Sequence, residues 1–197
     1  QEKQYKKFEV YTRHIKESTK NAHTLLTNLL DWARLQTGSL KYSPDFFDMY
    51  KVSEEVLAFA DVSALQKKIT ITNSVPRDLK VYGDKNMINT VLRNLISNAI
   101  KYTNINGNVD VKAILQNEIV EFSVKDNGIG ISEENIDKLF KMDVNYTTKG
   151  TSDEKGTGLG LILCKDFIEL HNGKIFIESE INEGTTVKFQ IPIQSSN

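Results

Sequence analysis

Three short segments of this 197-residue chain carry side chains whose types and spacing could do chemistry. In "NLISNAIKYT", Asn94, Asn98 and Lys101 stand at i, i+4 and i+7, which puts them on one face of a helix. Carboxamide oxygens can bind a hard cation such as Mg²⁺, and a lysine beside them can meet phosphate oxygens. A capping or solvent-facing polar strip is the competing reading. In "DNGIGI", Asp126 is followed by Gly128 and Gly130, which let the backbone turn sharply and approach a ligand. A carboxylate there can accept a hydrogen bond from an exocyclic amine such as that of adenine. It faces a phosphate favourably only with a cation between them. An ordinary turn would use the same residues. In "KGTGLGL", Gly156, Gly158 and Gly160 open a helix, where free N–H groups and the dipole attract an anion. The spacing matches neither a Walker loop nor a dinucleotide fingerprint. Between the last two motifs runs the polar stretch 141–158, long enough without an element of its own to suggest a function. Within it Asn145, Thr147, Thr148, Lys149 and Lys155 could close over a triphosphate.

Elements must position these groups. Residues 1–37 read as one long helix, with Phe8, Tyr11, Ile15, Ala22, Leu25, Leu26, Leu29, Leu30 and Ala33 near a seven-residue rhythm and Gly38 as C-cap. Such a stripe calls for a partner helix. A strand around Phe46–Met49 and a helix at Val52–Gln66 follow. Strand-like segments Ile69–Asn73 and Lys80–Tyr82 then flank a turn at Pro76. The helix Lys85–Lys101 has Asp84 as N-cap and a buried stripe from Met87 to Ile100. Asn108–Leu115 and Ile119–Asp126 alternate as a hairpin. Ser132–Phe140 reads as a short helix, Leu159–His171 as another, and Lys174–Glu180 with Thr185–Ile191 as a closing hairpin. The class is α+β: a two-layer α/β sandwich with a mixed, mostly antiparallel sheet and helices on one face, preceded by a long helix. The domain expectation is 1–38 helix, 39–45 linker, 46–193 α/β domain and 194–197 tail.

Composition narrows the classes. Lys and Arg number 25 against 26 Asp and Glu, so no global basic field draws nucleic acid. A single cysteine, Cys164, excludes an internal disulfide framework and points to a reducing compartment, hence a cytoplasmic location. It reads as a small buried residue rather than an activated thiolate. No apolar run reaches the ~20 residues of a membrane helix. The chain starts at Gln1 rather than Met, which reads as a fragment or processed product.

Taken in order, the motifs closely resemble the N, G1 and G2 boxes of the Bergerat-type ATP-binding fold shared by sensor histidine kinases, DNA gyrase, Hsp90 and MutL. "KLFKM" at Lys138–Met142 resembles the F box, and "GTTVKFQIP" also resembles the histidine-kinase branch. The resemblance covers about Asp45–Ile193. It implies that Asp126 binds the adenine amine, with Gly128 and Gly130 shaping the pocket. Asn98 and Asn94 would hold Mg²⁺ bridging the phosphates, Lys101 would contact phosphate, and Tyr102 would lie against the nucleotide. Gly156, Thr157, Gly158, Leu159 and Gly160 would form the end of a lid, with Lys149 within it. Thr185 or Thr186 would approach the adenine. His171 reads as structural.

The resemblance has two departures. Hydrolysing branches carry a glutamate where this chain has Asn94, and an asparagine has no basic lone pair to activate water. Slow hydrolysis and transfer of the γ-phosphoryl to a protein are therefore expected, rather than a gyrase-like clamp. Kinases of this type also carry an acceptor helix with His-[Glu/Asp]-x-x-x-Pro. Neither His14 ("HIKEST") nor His23 ("HTLLTN") fits that pattern. Residues 16–38, "KESTKNAHTLLTNLLDWARLQTG", instead resemble the second helix of the dimerisation and phosphoacceptor hairpin. The acceptor helix is then expected upstream of Gln1, no catalytic residue is identified within the chain, and autophosphorylation in isolation is not expected. The implied partners are ATP with Mg²⁺, a histidine-bearing hairpin in a homodimeric parent, and the receiver domain of a response regulator, without nucleic acid or membrane contact. The alternatives are a non-hydrolysing regulatory nucleotide-binding module or a serine kinase of the same fold.

Overall fold

The computed structural model describes residues 2–141, 148–152, 154, 156 and 158–193. The chain forms two compact units, Gln1–Leu40 and Lys41–Asn197.

The first unit is α1 (Glu2–Gln36), 35 residues and therefore about 52 Å long at 1.5 Å rise per residue. Gly38 at φ 65° ends it, and its N–H returns to Leu35 O at 3.0 Å while Ser39 N–H reaches Arg34 O at 2.9 Å. Glycine is the residue that enters this left-handed conformation without cost from a Cβ. Phe8, Tyr11, Ile15, Leu25, Leu26, Leu29 and Leu30 are all exposed on it.

The second unit begins with β1 (Asp45–Asp48), α2 (Met49–Gln66), β2 (Thr70–Ser74), β3 (Lys80–Gly83) and α3 (Lys85–Tyr102). There follow β4 (Asn108–Gln116), β5 (Ile119–Asp126), α4 (Glu133–Ile136), α5 (Gly160–Leu170), β6 (Lys174–Glu180) and β7 (Gly184–Pro192). The main sheet has the order β2-β4-β5-β7-β6; β2 runs parallel to β4 and the other pairs are antiparallel. A separate small pair joins β1 to β3. The two segments flanking Pro76 therefore pair with other strands and not with each other.

Alternation on the strands makes the sheet two-sided. Val109, Val111, Ala113, Val120, Phe122, Val124, Phe189 and Ile191 are buried, and Phe122 stacks on Phe189 with centroids 5.3 Å apart. The helices present Ile88, Val91, Leu92, Leu95 and Ile96 from α3, and Leu163, Cys164 and Ile168 from α5, all fully or nearly buried. The other face of the sheet is polar, with Lys188 reaching Glu178 at 2.6 Å and Gln190 donating to Glu121 at 2.8 Å. This is the two-layer sandwich expected from the patterning.

One element is shorter than the sequence suggests. Instead of a helix over Ser132–Phe140, only Glu133–Ile136 is α-helical. Lys138, Leu139 and Lys141 N–H groups each turn back three residues, to Asn135, Ile136 and Lys138 carbonyls, which tightens the chain into successive turns.

Two anchors fix α3. The Asp84 carboxylate accepts the N–H groups of Asn86 and Met87 at 2.9 and 3.2 Å, and with its other oxygen the N–H of Ser43 at 3.0 Å. His171, beyond the end of α5, accepts the Asp84 N–H on Nε2 at 2.9 Å and donates from Nδ1 to Phe167 O at 2.7 Å. That pattern fixes the neutral tautomer. Burial lowers the His171 pKa, opposed in part by the Phe167 carbonyl and the Asp84 carboxylate.

Candidate nucleotide site

Asp126 ends β5, the second strand of the β4–β5 hairpin, and is only 6% exposed. Its Oδ1 accepts the N–H of Gly128 at 2.9 Å and that of Thr185, across the β5–β7 ladder, at 3.2 Å. Both bonds fall on one oxygen, leaving Oδ2 without a hydrogen bond among the described residues. Burial raises the Asp126 pKa, and the two N–H bonds act in the opposite direction. The carboxylate is thus a buried acceptor with one edge fixed and one edge available.

The glycines after it are dictated by close approach. A Cβ on Gly128 would sit 2.2 Å from Tyr102 O, and one on Gly130, at φ +68°, would sit 1.9 Å from Glu180 O. The loop is pinned on both sides: Ile129 N–H donates to Tyr102 O at 3.1 Å, and Asn182 N–H to Ile129 O at 2.9 Å. The C-terminal turn of α3 therefore supports the glycine loop directly.

Thr185 is buried with its hydroxyl 2.8 Å from Ser179 Oγ. Alternation puts Thr186 on the opposite face of β7, so of the two threonines only Thr185 lies beside Asp126. Ser179 escaped the sequence reading, yet its hydroxyl also accepts Ile131 N–H and donates to Gly184 O, both at 2.8 Å. It ties the glycine loop to the β6–β7 hairpin.

Asn94 and Asn98 are half-buried on the same face of α3. The Asn98 side chain has no hydrogen-bond partner among the described residues. Asn94 packs against the start of α5, where a Cβ on Gly160 would fall 2.9 Å from its Oδ1. Leu159 precedes α5 with no side-chain cap, so the polar end of that helix stands beside Asn94. At the far end of α3, Lys101 Nζ lies 2.9 Å from Tyr102 OH and 4.5 Å from the centre of its ring. Lys101 Nζ and Tyr102 OH both donate to Thr148 O, at 3.4 and 3.2 Å. Gly156 passes close by, where a Cβ would lie 3.0 Å from Lys101 Nζ. Gly158 has φ +75° and Lys149 is exposed. Of the sequence-derived residues, Met142 of the F-box resemblance, Asn145, Thr147, Lys155 and Thr157 lie outside the described ones.

These contacts connect several of the expected residues in one run along the glycine loop and α3. It runs from Asp126 and Thr185, over the Gly128 loop and Tyr102, to Lys101, and along α3 to Asn98, Asn94 and the start of α5. Cys164 lies behind it, fully buried with its thiol pKa pushed up by burial, and is no nucleophile. Among the described residues no cluster of three or more His, Cys, Asp or Glu could hold a metal. The donors expected there are two neutral carboxamides. That suits a Mg²⁺ ion carried in on phosphate oxygens, with one or two protein ligands, rather than a resident ion in a carboxylate cage.

Sequence reasoning missed Lys67, Thr151 and Glu154. Lys67 Nζ is buried among the carbonyl oxygens of Ile100 and Lys101, at 3.0 and 2.8 Å, the Thr151 hydroxyl at 2.7 Å and Glu154 Oε1 at 2.8 Å. No local pattern marks such a contact, because its partners lie more than thirty residues away.

Residues 83–195 match the family described as histidine kinase-, DNA gyrase B- and HSP90-like ATPase. A relative from Dictyostelium discoideum, hybrid signal transduction histidine kinase C, is 36% identical across 94% of this chain and 16% of its own length. The solved catalytic domain of histidine kinase ThkA is 32% identical, with a TM-score of 0.69, covering 78% of this chain and 99% of that one. A structure of ThkA in complex with response regulator protein TrrA is 26% identical at a TM-score of 0.73, over 93% of this chain and 51% of that one. The chain spans less than half the length of the most similar curated relatives. The fold and the family match define an ATP-binding domain of the two-layer sandwich type. The chain belongs to the histidine kinase-, DNA gyrase B- and HSP90-like ATPase family, within its histidine-kinase branch.

Proposed function

We propose that the second unit binds ATP with Mg²⁺ and delivers the γ-phosphoryl group to a histidine side chain on a helical hairpin, of which α1 supplies the second helix. The observation that carries this reading is Asp126, whose Oδ1 is committed to two backbone N–H groups while Oδ2 is left to accept the adenine amine. Thr185 lies beside it, and Tyr102 flanks the nucleotide. Lys101 and Lys149 meet the phosphates together with the N–H groups at the start of α5. Gly156, Thr157, Gly158, Leu159 and Gly160 form the end of the lid. Asn94 and Asn98 would supply carboxamide oxygens to the cation, which when bound neutralises charge developing on the phosphate oxygens.

Catalysis on this reading is positioning and electrostatic stabilisation. The histidine nitrogen attacks the γ-phosphorus, a P–N bond forms, and the bond to the β–γ bridging oxygen breaks with its electron pair leaving on ADP. Asn94 offers no base to activate a competing water. The phosphoryl group then passes to an aspartate on a receiver domain, a partner class that the ThkA–TrrA complex supports by likeness. A cytoplasmic location belongs to the same proposal; among the described residues no helix is long and apolar enough to cross a membrane.

The test is a calorimetric titration with a non-hydrolysable ATP analogue, with and without Mg²⁺, followed by radiolabelled ATP with an added acceptor hairpin. Micromolar binding strengthened by Mg²⁺, label on the added hairpin and phosphate release at background are expected. Absence of binding by folded protein, or stable label on His14 or His23, would refute the reading.

A further inference from the structure

Lys67 caps the end of α2, and its ammonium is sunk against two other segments; only 7% of its side chain is exposed. The first segment is the C-terminal turn of α3, whose carbonyl groups have no partners within the helix. Lys67 Nζ meets Ile100 O and Lys101 O, and Thr103 O at 3.4 Å, at the negative end of the helix dipole. The second is Thr151, whose hydroxyl touches Lys67 and donates to Thr103 O at 2.7 Å, while its N–H donates to Lys101 O at 3.1 Å. The same segment carries Glu154, paired with Lys67 at 2.8 Å. Glu154 also closes the turn on itself: its carbonyl accepts Gly150 N–H at 2.9 Å and its carboxylate accepts Ser152 N–H at 2.8 Å.

The carbonyls gripped by Lys67 belong to the same turn that carries the Lys101 and Tyr102 side chains and supports the Gly128 loop. The turn held through Glu154 starts just past Thr148, whose carbonyl accepts from both Lys101 and Tyr102. One buried cation therefore sets the distance between the phosphate-facing end of α3 and the stem of the glycine-rich lid. A lysine serves here as a point charge with donors for several oxygens.

We propose that the Lys67–Glu154 ion pair latches the lid stem to the C-terminal turn of α3, making Lys67 and Glu154 positioning residues that hold Lys101 toward the phosphates of the nucleotide. This rests on the nucleotide-binding reading above. It assigns the two residues no contact with ATP; they act through Lys101 and the 148–152 turn.

Glu154→Gln tests it, since the amide keeps the shape and leaves Lys67 its helix carbonyls. Amide exchange of Thr151 reports the latch without nucleotide. Calorimetry with a non-hydrolysable ATP analogue and, separately, with adenosine reports positioning. Thr151 exchange is expected to accelerate about tenfold, the size of one charge-assisted hydrogen bond. Affinity for the triphosphate is expected to fall about three- to tenfold while adenosine, which has no phosphate for Lys101, binds as before. Lys67→Met should give the same split in a less stable protein, and adding Glu154→Gln to it should cost little more. Unchanged Thr151 exchange in Glu154→Gln would overturn the latch. Loosening that weakens both ligands equally, or neither, would overturn the positioning role. Faster exchange in a protein that binds neither ligand even as wild type would refute the nucleotide reading and leave the latch itself standing.

Discussion

Replacing Asp126 by Asn changes one group at the most specific point of the site. The Oδ1 atom can keep the Gly128 and Thr185 N–H bonds at 2.9 and 3.2 Å, so the loop keeps its support. At Oδ2 an acceptor becomes an N–H₂ donor facing the adenine amine, itself a donor. A hydrogen bond to a charged acceptor contributes about 1.5–3 kcal/mol, so its loss should weaken ATP binding about 10- to 150-fold. Stability should not fall with it. Burial holds the Asp126 carboxyl above its usual pKa, which means the charged form is costly in the folded state, and the neutral amide removes that cost. Asp126→Ala separates the two effects. It should lose affinity similarly, but it also strands two buried N–H groups, at about 1 kcal/mol or more each. That amounts to at least about 2 kcal/mol, or about 4–8 °C in a domain of this size. Calorimetric titration with a non-hydrolysable ATP analogue and thermal unfolding of all three proteins give the readout. An Asp126→Asn protein that binds within about twofold of wild type would remove Asp126 from adenine recognition.

Two further outcomes test the scaffold. His171 is neutral when folded, with its pKa lowered by burial, while the unfolded chain takes up the proton near pH 6.5. Its stabilising contribution is therefore full above that pH and is lost as pH falls toward the lowered folded value, at no more than about 1.4 kcal/mol per pH unit. Between pH 7 and 5 the melting temperature of wild type should drop more steeply than that of His171→Gln, whose carbonyl can accept the Asp84 N–H; equal slopes would contradict the assignment. Gly130→Ala must place a Cβ 1.9 Å from a carbonyl oxygen at positive φ, and should destabilise by about 3 kcal/mol or more in urea unfolding. Gly156→Ala, which meets the flexible end of Lys101 at 3.0 Å and the Tyr102 hydroxyl at an ordinary 3.9 Å, should cost far less. Similar losses at the two positions would show that backbone crowding is not what selects glycine at 130.

The motifs were legible because their chemistry is local. Asn94, Asn98 and Lys101 share a helix face by spacing alone, and Asp126 ends a strand whose alternation is unambiguous. Core positions of α3 and the β4–β5 hairpin follow from periodicity for the same reason. What stayed hidden depends on contacts between distant parts of the chain. The parallel partner of β2 is β4, beyond the whole of α3, and β3 pairs back with β1. The choice between Thr185 and Thr186 needed the register that places Thr185 opposite Asp126. Lys67 looks in sequence like one of two surface lysines after a helix, and only tertiary structure sinks it. The helix at Glu133–Ile136 was overextended because Asp137–Lys141 has helical composition but bonds three residues back.

The register that sets Asp126 opposite Thr185 also holds together the two ends of residues 127–184, a segment that carries α4, α5 and the edge strand β6. Its two ends are held by the ladder whatever lies between them. In such a loop the entropy of closure grows only with the logarithm of length, about 0.6 kcal/mol for each doubling. Lengthening a connection between such fixed ends therefore costs little folding energy, and a longer one can be carried on an unaltered sheet. On the proposed reading, kinetics of nucleotide entry and exit would then be retuned by length alone, while base recognition at Asp126 would stay as it was.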